Sequence, residues 1–277
     1  MDITHIPAEP GAVAAVVAVM AGLGERSMEL PADGVAREVP EGFLVTAGNP
    51  AADAGVLVYV HGGGFEHRKP DLMNRVAYEF SRVTGRAVLV VHYRLAPANP
   101  YPAPLDDVVA AVEGIGTGNV IVLGESSGGA LALSALLRLK EEGEALPASV
   151  LTLSAVTDLA ITGASVDDSP GDPVDRAMLT YLIGQYLGTA KAAEAPQSPL
   201  HGALDGLPPL VMLVGGAEAL RDDTLRFARA ASAAGTKVEV DVYADMPHAF
   251  PIAMLDSGNP TGREVLGRIA AWSDQYR

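Results

Sequence analysis

The 277-residue chain contains no cysteine, which excludes disulfides, a thiolate nucleophile and any metal site built on Cys ligands. That absence leaves the redox compartment open, although it fits a cytoplasmic protein. Basic residues are scarce as well: 19 Lys+Arg stand against 34 Asp+Glu, a formal net charge of −15. This balance argues against nucleic acid or an anionic membrane as a partner, and otherwise reads as a solvated surface. No unit of roughly 20 to 50 residues repeats, and there is no low-complexity tract. The one apolar stretch near the start, residues 12–23, has no Lys or Arg before it and is too short to span a bilayer. It is expected to form a buried or amphipathic helix rather than a signal peptide.

What is present is enough apolar content, 49%, to bury a large core as a single domain spanning 1–277. A helix is expected near 11–24, then two short antiparallel strands at 35–39 and 43–47 joined by Pro40-Glu41-Gly42. Val56 to Val60 and Ala87 to Tyr93 are continuous apolar runs, the pattern of strands covered on both faces. Further strands are expected at 120–123, 150–153, 210–214 and 238–243, separated by helical segments, which makes eight strands in all. Alternation with short connections predicts an α/β fold with a mostly parallel, doubly wound sheet. Residues 157–206 break the rhythm with a polar segment and a helix near 173–187. They are expected to form, with the first 30 residues, a small helical cap.

The stretch Gly124-Glu125-Ser126-Ser127-Gly128-Gly129 lies between an apolar strand and a run of helix formers. Strand, G-x-S-x-G and helix together make a turn so sharp that Gly124 and Gly128 have no room for side chains, while Ser126 is held exposed above the sheet. A serine hydroxyl is a poor nucleophile at neutral pH and needs a base within hydrogen-bond reach. Ligands in open α/β sheets bind beyond the strand C-termini, so the residues just after each strand are the candidates. His248 follows the strand at 238–243. Glu218 follows the strand at 210–214, where a carboxylate can orient the imidazole, with Asp222 the alternative acid at the start of the next helix. His61-Gly62-Gly63-Gly64-Phe65 follows the Val56 strand; consecutive glycines let backbone N–H groups converge on a developing oxyanion. Neither G-x-G-x-x-G nor a Walker lysine occurs here, so phosphate binding is not the reading.

Five blocks in order, HGGGF at 61–65, YRLAPANPYPAPLDDV at 93–108, GESSGG at 124–129, GGAEALRDD at 215–223 and DMPHAF at 245–250, resemble the hormone-sensitive-lipase family of α/β-hydrolase esterases. The resemblance implies an α/β-hydrolase fold with Ser126 as nucleophile, His248 as base and Glu218 as acid. It also implies an oxyanion hole of the Gly63, Gly64 and Ser127 amides. No metal or organic cofactor is implied, and the substrate would be a small short-chain acyl ester. Both monomers and homodimers occur in the family. Phe65, Tyr181 and Phe250 are candidate pocket walls that could equally pack in the core. The chain departs from the family pattern at Glu125 and Ser127 within the elbow, at Ala98, and at Ala249, where glycine usually follows the histidine. Glu218 stands where the family usually has Asp. Two other classes share the scaffold: a non-hydrolytic enzyme such as a dehydratase, cyclase or acyltransferase, and a ligand-binding module. Retention of His248 argues against the second.

Overall fold

The computed structural model describes residues 1–51, 53–116 and 119–276. Its centre is one nine-stranded sheet: β1 (Asp2–Ile6), β2 (Gly34–Val39), β3 (Gly42–Ala47), β4 (Val56–Val60), β5 (Ala87–Val91), β6 (Val120–Glu125), β7 (Ser149–Leu153), β8 (Leu210–Gly215) and β9 (Val238–Tyr243). The order across the sheet is β1-β9-β8-β7-β6-β4-β5-β3-β2. Only the β2–β3 and β3–β5 pairs are antiparallel; the remaining pairs are parallel.

This is the α/β-hydrolase fold, with nine strands rather than the eight expected. The additional strand is β1, which pairs with β9 from Asp2↔Glu239 to Ile6↔Tyr243. It forms one edge of the sheet, and four of its five residues are exposed, so it carries no burial pattern of the kind that marks the central strands.

The central strands are apolar throughout because helices cover both faces. Alternate residues of one strand enter different cores: Val58 and Val60 face one, Leu57 and Tyr59 the other. The first core is closed mainly by α3 (Ala103–Ile115), α4 (Ser127–Glu142) and α6 (Arg221–Ala233). The second is closed by α1 (Ala12–Ala21), α2 (Pro70–Thr84) and α7 (Pro260–Asp274). Helix α2 begins with Pro70, whose missing N–H costs nothing in the first turn, and stops at Gly85 in the left-handed region. Its stripe of Met73, Val76, Ala77 and Phe80 is buried. A fully enclosed side chain such as Phe80 or Trp272 contributes on the order of 1.5–3 kcal/mol through burial.

The first 30 residues supply the edge strand β1 and helix α1, whose Ala12 and Val16 are buried in the second core along with Phe250, Met254 and Trp272. The 157–206 segment carries α5 (Arg176–Leu187). No described helix is long and apolar enough to cross a membrane.

Candidate active site

The turn after β6 is as tight as its glycines imply. A Cβ on Gly124 would fall 2.6 Å from the Gly128 carbonyl oxygen, and one on Gly128 would fall 2.1 Å from that of Val60. Neither position has room for a side chain. Ser126 itself has φ 52° and ψ −118°, a conformation that non-glycine residues adopt only when the surroundings enforce it. Here the enforcement is visible. Its N–H donates to the Leu153 carbonyl (2.9 Å), and its carbonyl accepts from Gly129 N (3.0 Å) and Val156 N (3.1 Å).

The turns after β8 and β9 are laced to each other. Gly216 N donates to the Tyr243 carbonyl at 2.7 Å, and Ala217 N to that of Met246 at 3.1 Å. This brings two distant segments over the elbow. His248 Nε2 lies 3.0 Å from Ser126 Oγ, and Glu218 Oε2 lies 3.3 Å from His248 Nδ1. The second contact is at ion-pair distance but out of hydrogen-bond alignment, and the Ser154 side chain also acts on the Glu218 carboxylate. Such contacts commonly tighten once substrate is bound. Burial pulls the His248 imidazole down, but the carboxylates of Glu218 and, to a lesser extent, Asp172 and Glu125 together more than offset it, so the ring is held above the ordinary histidine value. Burial raises the Glu218 carboxyl, with His248 pulling the other way.

Asp222, the alternative acid, is engaged elsewhere: its carboxylate accepts from Ser165 N at 3.0 Å. Asp223 accepts from Thr157 N at 2.7 Å and Asp158 N at 2.9 Å. Both side chains anchor the base of the inserted segment.

Gly63 and Gly64 have φ of 114° and 63°. A Cβ at Gly63 would fall 2.2 Å from the His67 carbonyl oxygen, and at Gly64 2.5 Å from Leu182 Cδ1. The backbone N–H groups of Gly63, Gly64 and Ser127 donate to no protein acceptor among the described residues, and all three residues line the cavity at Ser126. His61 braces this loop from beneath. Its Nδ1 lies 2.7 Å from the Gly62 carbonyl, and its Nε2 accepts from Arg68 Nε at 3.2 Å, which fixes one neutral tautomer. Burial drives its pKa down to about 3, so the ring stays neutral.

The cavity has a volume of about 380 Å³ and is mostly apolar. Of the three candidate wall aromatics, only Phe65 lines it, its ring stacked on Tyr186 at 4.0 Å. Tyr181 is 55% exposed and faces solvent; Phe250 is wholly buried against Tyr243, in the second core. The remaining walls are mainly aliphatic. Met178, Leu179, Leu182 and Ile183 of α5 face Leu72, Met73 and Val76 of α2 across the cavity. Their spacing of one, three and four is a single helical face, a signal readable in the sequence. No residue of the first 30 lines the cavity.

The chain is similar to known esterases. The alpha/beta hydrolase fold family matches residues 57–252. An acetyl-hydrolase of Streptomyces hygroscopicus is 35% identical over 227 residues, covering 76% of this chain and 76% of its own. An esterase of Acinetobacter venetianus is 32% identical over 226 residues, covering 79% of this chain and 74% of its own. Among solved structures, an esterase from the bacterial hormone-sensitive lipase (HSL) family superposes with a TM-score of 0.85 at 29% identity, covering 97% of this chain and 98% of that one. The chain therefore belongs to the alpha/beta hydrolase family, as an esterase of its bacterial hormone-sensitive-lipase branch.

Proposed function

We propose that the chain hydrolyses short-chain carboxylic esters through a Ser126-His248-Glu218 triad and an acyl-enzyme intermediate. The observation that carries this reading is the 3.0 Å approach of His248 Nε2 to Ser126 Oγ at the floor of an apolar cavity. His248 takes the Ser126 proton as the hydroxyl oxygen attacks the ester carbonyl, and the negative charge moves to the carbonyl oxygen. The amides of Gly63, Gly64 and Ser127 receive that charge. The C–O bond to the alcohol then breaks, and His248⁺, oriented by Glu218, returns the proton to the leaving alkoxide. Water, deprotonated by the same imidazole, attacks the acyl-serine and releases the acid.

Two features favour short acyl groups: the cavity volume of about 380 Å³, and the Leu182 side chain, which presses against the Gly64 backbone above the oxyanion loop. The inserted segment acts as the cap, with α5 as its inner wall, and the Cys-free composition suits a cytoplasmic location. Hydrolysis of p-nitrophenyl esters of increasing chain length by wild type and Ser126→Ala tests the proposal. Turnover highest for the shortest acyl groups and lost in Ser126→Ala is expected. No turnover by the wild type, or turnover that survives the substitution, contradicts it.

A further inference from the structure

Asp172 lies in the inserted segment, four residues before α5, and belongs to none of the motif blocks. It is half-buried, and both of its carboxylate oxygens are used. Oδ2 accepts from the backbone N–H of His248 at 2.8 Å, across 76 residues of chain. Oδ1 accepts from the backbone N–H of Val174 at 2.8 Å, and Val174 lines the cavity. The Asp172 N–H is held in turn by the Ser169 carbonyl at 3.2 Å. Immediately beyond, Asp175 caps α5 by accepting from Met178 N at 2.8 Å, so the clasp continues into the helix that walls the cavity.

We propose that Asp172 is a positioning residue of the hydrolytic site, whose carboxylate clasps the His248 loop to the start of α5 and so fixes the base and the cavity wall in one geometry. The inference rests on the esterase reading for its kinetic consequences, but not for the clasp itself. Only a carboxylate does this at both ends. Each partner is an N–H donor, so Asn, with one acceptor oxygen, satisfies one end and confronts the other with an amide NH₂. The clasp also places a negative charge beside the base. Three carboxylates act on the His248 ring from three different elements: Glu218 after β8, Asp172 from the inserted segment, and Glu125 at the end of β6. Exposed Lys69 and His67 also line the cavity. Removing Asp172 therefore takes away one of the groups that favour the protonated imidazole.

The test compares Asp172→Asn and Asp172→Glu with wild type. In p-nitrophenyl acetate hydrolysis, Asp172→Asn is expected to move the acid limb of kcat/KM toward lower pH by about half a unit and to lower kcat about 10-fold. Asp172→Glu, which keeps the charge and both acceptors, should bring the limb back toward wild type. A limb in Asp172→Asn that coincides with wild type, or lies above it, overturns the proposal. Should Asp172→Asn not fold, Asp172→Ser carries the same comparison, because it also removes the charge and leaves one acceptor. The same shift is read without turnover by NMR titration of the His248 ring, its signal identified by its loss in His248→Gln. Failure of the wild type to hydrolyse esters thus falls on the esterase reading. An unmoved His248 titration falls on Asp172.

Discussion

Ser126 Oγ and His248 Nε2 stand 3.0 Å apart although 122 residues separate them in the chain. Two backbone devices bring them there. The glycine-flanked turn after β6 lifts Ser126 clear of the sheet, and the laced turns after β8 and β9 carry His248 over it. Glu218, wholly buried behind the imidazole, completes the line.

Glu218 is expected to matter to catalysis and Asp222 is not, since Asp222 is bonded to the Ser165 amide and lies outside the line. Glu218→Gln should lower kcat by orders of magnitude, on the order of 10³–10⁴, because it loses the charge that stabilises the imidazolium. Asp222→Asn should retain near wild-type kcat. Steady-state kinetics of both variants decide between them, and the reverse ranking would reassign the acid.

The pH dependence follows from the direction of the His248 shift. The base acts when neutral, and Glu218 together with Asp172 and Glu125 favours the protonated ring despite burial, so activity should fall as pH drops through a value above 6.5. Protonation also disrupts attack in the order expected of a single base, giving a limb of unit slope. A pH profile of kcat/KM whose acid limb lies below 6.5 would contradict this balance between burial and the three carboxylates.

Gly63 is the position where the oxyanion loop should tolerate substitution least. At φ 114° a Cβ meets the His67 carbonyl oxygen at 2.2 Å, so alanine forces the peptide to rotate and turns its N–H away from the cavity. Loss of one such donor costs about 10²–10³ in kcat. Gly63→Ala should show that loss with little change in KM; a variant with wild-type kcat would remove this amide from the hole.

Ala249, which follows the histidine where the family usually has glycine, has φ 63°. The left-handed conformation costs an alanine about 1–2 kcal/mol that a glycine avoids. Ala249→Gly is expected to stabilise the fold by about 1 kcal/mol in urea denaturation, after allowing for the greater freedom of glycine in the unfolded chain. A less stable variant would mean that the methyl group, which lines the cavity, contributes more by packing than the backbone loses by strain.

Much of this candidate site was legible in the sequence because its parts are local. Ser126 is marked by the glycines on either side of it, and His248 and Glu218 by their places just after apolar strands. Features that depend on what lies across space were not. β1 is an exposed edge strand with no apolar alternation, so nothing in Asp2–Ile6 announces its pairing with β9. Phe250 and Tyr181 share the residue type of a pocket wall, but aromatic character does not say which way a side chain faces; one is core and the other faces solvent. The cavity lining on α5 was readable in the spacing of Met178, Leu179, Leu182 and Ile183. Asp172 could not have been read at all: its partner is a backbone N–H, which every residue but proline possesses.

The central claim is that Ser126 carries the acyl group. It is tested most directly by quenching the reaction with p-nitrophenyl acetate during turnover and locating the label by mass spectrometry of the intact chain and its peptides. The account predicts one acetyl group, on Ser126, that appears with nitrophenol release and disappears as substrate is exhausted. Turnover with no acetylated chain, or with the acetyl group on another residue, would contradict it.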